Sequence, residues 1–176
     1  YSHKGSGEVP INVDVRAYQQ TMERRIYAWS NGLNRDITMT KVSFETNGFD
    51  AKADWLVHPQ HLLSFGLNLW DMGASPERTI ANPPNSLNYV RSDPFDDGRI
   101  KAAGLYLQDD MRFDRLNLLA AGRYDKVWGS ADSVANSANP LGPRRTTGLD
   151  RDDGAFSGSL GASYEIEPLL RPYASL

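Results

Sequence analysis

Hydrophobic and polar residues alternate with a period of two along most of this chain. In residues 156–166 the even positions read Phe156, Gly158, Leu160, Ala162, Tyr164 and Ile166, and the odd ones Ser157, Ser159, Gly161, Ser163 and Glu165. Successive strand side chains point to opposite faces, so this segment has one apolar face and one small, polar face. Ile11, Val13, Val15 and Ala17 set up the same alternation, as do Phe49, Ala51, Ala53 and Trp55. It recurs in Leu63, Phe65, Leu67 and Leu69, in Ala103, Leu105 and Leu107, and in Leu116, Leu118, Ala120, Gly122 and Tyr124. The pattern predicts about seven antiparallel strands and no helix-dominated domain. Two stretches are out of phase. Ile26 and Ala28 oppose the phase of Ile11, which predicts a bulge or loop between them, with a helix over 20–26 as the weaker reading. A second slip is expected near Asn47-Gly48.

Turn chemistry punctuates the strands. Residues 1–10, with Gly5, Gly7 and Pro10, read as a turn, and so do residues 30–36. His58-Pro59-Gln60, Asp114-Arg115 and Glu167-Pro168-Leu169 are short reversals, whereas 72–99 and 129–153 are long polar loops. Short and long connections therefore alternate, as on the two rims of a transmembrane β-barrel. A sandwich or a soluble ligand-binding barrel has no need of that asymmetry. Phe156 and Tyr164, tilted by ~40°, would stand roughly 20 Å apart along a membrane normal, close to the height of a barrel's apolar band. Asp109 has the phase of the lipid side, and on this reading it belongs at the periplasmic interface, where a charge costs little.

Composition narrows the function. The chain has 176 residues, a formal net charge of −3 and no cysteine. There is no basic field for nucleic acid, no disulfide framework and no thiolate metal site. No apolar run approaches the ~20 residues of a membrane helix, which leaves membrane strands open. No cationic, apolar leader opens the chain, and it stops at Leu176 after a strand barely begun, so both ends read as cuts through a longer protein. His58 and His61 bracket a turn without a third ligand nearby, and read as structural. Asp150, Asp152 and Asp153 before Gly154 lack the spacing of a calcium loop and read as a solvated loop end. No nucleophile–base or paired-carboxylate spacing points to an enzyme, and no cofactor is implied.

Several segments resemble the barrel of TonB-dependent outer-membrane receptors. His61-Leu62-Leu63-Ser64-Phe65-Gly66 is similar to that family's H-x-L-x-(Y/F)-G strand, and Gly104-Leu105-Tyr106-Leu107-Gln108-Asp109 to its G-x-(Y/F)-x-Q-D segment. Arg123-Tyr124-Asp125 resembles its R-Y-D strand, though Ala121-Gly122 stand where Gly-Leu is usual. Asp152-Asp153-Gly154-Ala155-Phe156-Ser157, with Leu160-Gly161, resembles D-D-x-A-F-S-P-x-L-G, with Gly158 in place of proline. Tyr173-Ala174-Ser175 resembles the start of the next strand. The segments occur in the family's order, whereas the first ~50 residues match only in being strand-like. Asn139-Pro140-Leu141 is similar to a motif of haem-receptor relatives, but it precedes the strand that the motif should follow.

The resemblance implies an all-β, antiparallel, up-and-down transmembrane barrel of about 22 strands, of which residues 1–176 form about seven. It implies an outer-membrane location and contact with outer-membrane lipid. It also implies a plug domain and a TonB-contacting segment N-terminal to these residues. The implied ligand is an iron–siderophore or haem, held by aromatics and cations of the long loops and upper lumen. Candidates are Trp70, Arg78, Tyr89, Arg91, Trp128, Arg144 and Arg145. Two alternatives remain open from the residues: a complete eight-stranded anchoring or adhesion barrel, and a soluble ligand-binding barrel with its faces reversed.

Overall fold

Each alternating segment is a strand, and strands next in sequence pair with each other. The computed structural model describes residues 1–5, 10–30, 35–84, 86–136, 138–167 and 169–176. Its strands are β1 (Ser2–Lys4), β2 (Ile11–Ser30), β3 (Arg35–His58), β4 (His61–Ala81), β5 (Tyr89–Arg91), β6 (Phe95–Asp96), β7 (Gly98–Phe113), β8 (Leu116–Ser130), β9 (Ser133–Val134), β10 (Arg151–Tyr164) and β11 (Tyr173–Ser175). The main sheet runs β1-β2-β3-β4-β7-β8-β10-β11, with every neighbour antiparallel. β5 adds to β4, and β6 pairs with β9 in a separate ribbon. β1 and β11 lie at opposite ends of the sheet, which stays open. A closed eight-stranded barrel needs these two to pair, so that alternative is set aside.

Directly paired residues share a face, so the register can be read across the sheet in rows. One row is Ile11, Trp55, Leu63, Asp109, Ala120 and Leu160; the next is Val13, Ala53, Phe65, Leu107, Gly122 and Gly158; a third is Val15, Ala51, Leu67, Leu105, Tyr124 and Phe156. The apolar positions of six strands thus form one continuous face. It has almost no protein interior behind it. On this face Ala53 is the one buried residue among those described, while Leu105, Phe156 and Leu160 are 60%, 76% and 62% exposed. An apolar face of this extent requires a cover other than the chain itself.

Four sequence expectations are corrected. No bulge separates Ile11 from Ile26, and none occurs at Asn47-Gly48. β2 pairs with β3 without interruption from Ile11 to Ala28, and the register shifts only between Ala28 and Trp29 and between Leu56 and His58. Above Ala17 and Phe49 the polarity of the two faces changes over instead: Gln19, Thr21, Glu23, Asn47 and Glu45 continue the apolar face upward, while Met22, Ile26 and Phe44 lie on the other side. Third, residues 72–81 belong to β4 and are not loop. Pro76 fits there because β7 pairs only as far as Ala74, leaving that edge of β4 open. Fourth, residues 2–4 of the expected turn over 1–10 are a strand on β2, and residues 6–9 lie outside the described residues. The reversals at 59–60 and 114–115 stand as read, Asp114 taking the left-handed φ of 50° that Asp tolerates. Glu167 bridges Leu170 across the third. In the expected turn over 30–36, Ser30 and residues 35–36 are strand, and residues 31–34 lie outside the described residues.

Asp109 is handled differently from the expectation. Met111 and Phe113 continue the apolar face below it, so it is not the last outward residue of β7. Its Oδ2 is hydrogen-bonded to His61 Nδ1 at 2.9 Å across the β4–β7 pair, and the His61 ring packs edge-on against Phe113 with centroids 5.8 Å apart. Pairing, and not position alone, accommodates this carboxylate. Its Oδ1 is buried without a partner.

Candidate functional site

The face opposite the apolar one is polar in its lower rows and aromatic above. Asn12, Asp54, Ser64, Gln108, Ala121 and Ser159 form one row, and Asp14, Lys52, Gly66, Tyr106, Arg123 and Ser157 the next. These groups bond to one another. Ser64 donates to Asp54 at 2.5 Å, Asn68 donates to Asp50, Lys52 pairs with Asp54 at 3.1 Å, and Arg123 pairs with Asp125 at 2.6 Å. Two rows higher come Tyr18, Gly48 and Trp70. The Tyr18 ring covers Gly48 and the Tyr106 ring covers Gly66, so closely that a methyl group at either glycine would collide with the ring. Tyr18 and Tyr106 were not singled out from sequence. A glycine directly opposite a tyrosine is the available signal, but it requires the register.

Above the sheet, the two long connections are docked onto each other. Arg144 is the centre of the contact. It donates from Nε to Ser133 Oγ at 2.5 Å and from Nη1 to the Asp93 carbonyl at 2.7 Å, and it pairs with Asp96 at 3.2 Å. Ser133 in turn donates to Asp96 at 2.6 Å beside the β6–β9 pair. Arg78 donates to the Ser92 carbonyl at 2.6 Å, and Ser92 Oγ donates to the Pro140 carbonyl at 3.0 Å. Ser92 and Ser133 are buried. The segments expected as irregular loops are therefore a built cap, closed by charge-assisted hydrogen bonds. Arg144→Ala should cost the cap about 1–3 kcal/mol by leaving the Asp93 carbonyl without its donor and Asp96 without its cation. Limited proteolysis of the intact protein should then cut within 131–150 faster, with the thermal unfolding of the sheet unchanged.

The seven candidate residues do not converge. Trp70 and Arg78 have the polar-face register, whereas Trp128 lies in the row of Asn47, Asp71 and Lys101 on the apolar side. Lys126 Nζ stands 5.8 Å from the Trp128 ring centroid, a cation–π contact at the upper edge of the apolar face. The placement of Trp128 in the upper lumen is thus corrected. Tyr89 and Arg91 pair with Ala81 and Thr79, which also have the apolar-side phase. Arg91 is tied to Asp93 at 2.6 Å, whose carboxylate holds the guanidinium pKa above its ordinary value. Arg78 and Arg144 are committed to the cap. Arg145 bridges Val134 through its backbone and leaves its side chain exposed, with no ion-pair partner among the described residues.

The remaining motifs are placed apart. His61 is bonded to Asp109, and His58 Nδ1 accepts from the Gln60 amide at 3.3 Å. Asp152 pairs with Lys126 and Asp153 with Arg151, on opposite faces of β10. Asn139-Pro140-Leu141 is a turn in the cap, closed by the Gly142 amide on the Asn139 carbonyl at 3.0 Å. Farther out on β2 and β3, hydrogen bonds from Lys41 and Arg25 hold Glu23 below the usual carboxylate range.

Comparison with known proteins agrees with this architecture. The family model described as TonB dependent receptor-like, beta-barrel, matches residues 2–176. The chain is 31% identical over 77 residues to the ferrioxamine receptor of Yersinia enterocolitica, covering 44% of this chain and 10% of that protein. The ferric citrate transporter FecA in its unliganded form superposes with a TM-score of 0.71 at 15% identity, over 99% of this chain and 25% of that one. The copper transporter OprC superposes with a TM-score of 0.61 at 13% identity, over 95% of this chain and 27% of that one. This chain thus spans about a tenth of the curated relative and about a quarter of each solved structure. An open antiparallel sheet with one continuous apolar face, short reversals at one rim and a built cap at the other is part of a large barrel wall, and the chain belongs to the TonB-dependent receptor-like β-barrel family.

Proposed function

We propose that residues 1–176 form part of the wall of an outer-membrane receptor that imports a large iron chelate, an iron–siderophore foremost, with energy delivered through TonB. In this reading the apolar face meets lipid, the polar face lines the lumen, and the cap faces outside the cell. The plug and the TonB-contacting segment belong to other parts of the same receptor. The observation that carries the reading is the asymmetry between rims: tight reversals at 58–61 and 113–116 against a hydrogen-bonded cap at the other end. The similarity to a ferrioxamine receptor supports a ferrioxamine-like iron chelate over haem. Within this chain, Trp70 and Tyr18 on the upper lumen wall would stack against the ligand, and the uncommitted Arg145 would donate hydrogen bonds to its oxygen atoms.

The test is growth of an iron-starved strain whose sole chelate receptor is the intact protein, supplied in turn with ferrioxamine, ferric citrate and haem. Ferrioxamine-dependent growth is the expected result. Trp70→Ala should then weaken chelate binding to purified receptor about tenfold, the loss of one aromatic stacking contact worth about 1–1.5 kcal/mol. Growth on haem alone would replace the siderophore reading, and growth on none of the three would remove it.

A further inference from the structure

The lumen face changes character between two adjacent rows. The row of Arg16, Asp50, Asn68 and Asp125 is charged, like the two below it. The next three rows upward carry no charged residue from β2 to β8. Trp70, Ala102 and Val127 stand in the first of them beside Tyr18, Met72 and Ile100 in the second, and Met22 and Phe44 in the third. Gln20 and Thr46 supply uncharged hydrogen-bonding groups in the second row. At the top the cap reaches down to this strip: the Phe95 ring lies over Gly98, which pairs with Ala74 in the third row. Arg24 begins the row above, and on β10 Arg151 and Asp153 neutralise each other. Met22, Ile100 and Val127 are exposed, so no other part of the described chain covers the strip.

We infer that this strip makes the receptor selective for iron chelates with an uncharged, aliphatic surface and that it rejects chelates carrying carboxylates. Methylene linkers laid on Met22, Phe44, Met72 and Ile100 leave water together with them. The amide oxygens of such linkers accept from Gln20 and Thr46. A carboxylate in the same place gives up its hydration and finds no cation in return, so the wall rejects it by desolvation and not by repulsion. The two thioethers adapt to linkers of different length, so the selection is on charge more than on shape. The inference rests on the receptor reading above and narrows its ligand.

Intact receptor in detergent is titrated by equilibrium dialysis with radiolabelled iron in three chelates. One is ferrioxamine. The others are synthetic tris-hydroxamates, neutral at the iron, that differ only in a carboxylate on each methylene linker of the second. The plain synthetic chelate should bind at least about tenfold more tightly than the carboxylated one. Met72→Lys should bring the two level, and so should Ile100→Lys in the same row. Ser159→Lys, on the lower lumen wall, should leave the ratio as in wild type. Heat-resistant migration checks that each variant is folded, and the wild-type ratio decides alone where one is not. Wild-type affinities within about twofold of each other overturn the inference. So does a ratio that neither upper substitution changes, which would leave the strip to the plug, and so does binding of ferrioxamine with neither synthetic chelate, which would make the selection one of shape. In these cases the receptor reading stands. Failure to bind ferrioxamine removes the ferrioxamine-like ligand of that reading and the inference with it.

Discussion

Leu105→Arg is expected to lower the unfolding free energy of the membrane-inserted receptor by about 2–4 kcal/mol, whereas Ser159→Arg changes it by under about 1 kcal/mol. The two residues lie in one sheet, on β7 and β10 with β8 between them, but on opposite faces. Leu105 occupies the row of Val15, Ala51, Leu67, Tyr124 and Phe156, with apolar rows on both sides, and is 60% exposed. If that exposure is to acyl chains, a guanidinium there loses its hydration near mid-band. It is also too deep for its side chain to reach either interface. Ser159 lies in the row of Asn12, Asp54, Ser64 and Gln108, where an added cation meets water and carboxylates. Urea unfolding in lipid vesicles, followed by tryptophan fluorescence, measures both. A larger penalty at position 159 than at 105 would reverse the two faces and revive the soluble barrel with an apolar interior.

The second large effect is at the His61–Asp109 pair. His61→Leu should destabilise the inserted barrel by about 2–3 kcal/mol, because it leaves a carboxylate on the apolar face with neither oxygen bonded. Oδ1 is already without a partner, and Oδ2 has only the imidazole. Asp109→Leu should cost far less, since the histidine left behind can be neutral. The double substitution should return to within about 1 kcal/mol of wild type, or exceed it, because two paired polar groups are replaced by apolar ones on an apolar face. The same unfolding assay closes the cycle. Single-mutant losses that simply add in the double mutant would show that the two side chains act independently and that the contact contributes nothing.

Period-two alternation is local information, and it was enough for the strand content and the two faces of residues 156–164, while turn chemistry marked the short reversals and motif resemblance pointed to the family. Side chains i and i+2 share a face whatever the strand is paired with, so Phe156 and Leu160 could be placed together from sequence. The segments 61–66 and 104–109 carry the resemblance because the glycine and aromatic positions within each strand are constrained locally. The two failures of register share one cause. Ile26 and the phase near Gly48 looked like register slips because the reading assumed one face to be apolar along the whole strand. A strand that outlasts the apolar band reverses the polarity of its faces without moving its register.

The candidate ligand residues were legible by type but not by place. Aromatics and arginines were expected at the upper end, and they are there. Trp128 nevertheless lies on the apolar side, and Arg78 and Arg144 are spent on holding the cap together. Which face an upper residue takes depends on counting in twos from the band without a bulge. Whether an arginine is free depends on residues up to 51 positions away, as in the bond from Arg144 to Asp93.

By itself, then, the amino-acid order determined that this chain is a run of antiparallel strands with one greasy and one wet side, because that follows from spacing within single strands, and its motifs pointed to the family it joins. The partnership of His61 with Asp109 and the closing of the cap around Ser92 and Ser133 were decided only by the assembled sheet. Each depends on which residues stand opposite one another across strands, a relation set by the sum of every preceding turn length and visible in no one segment.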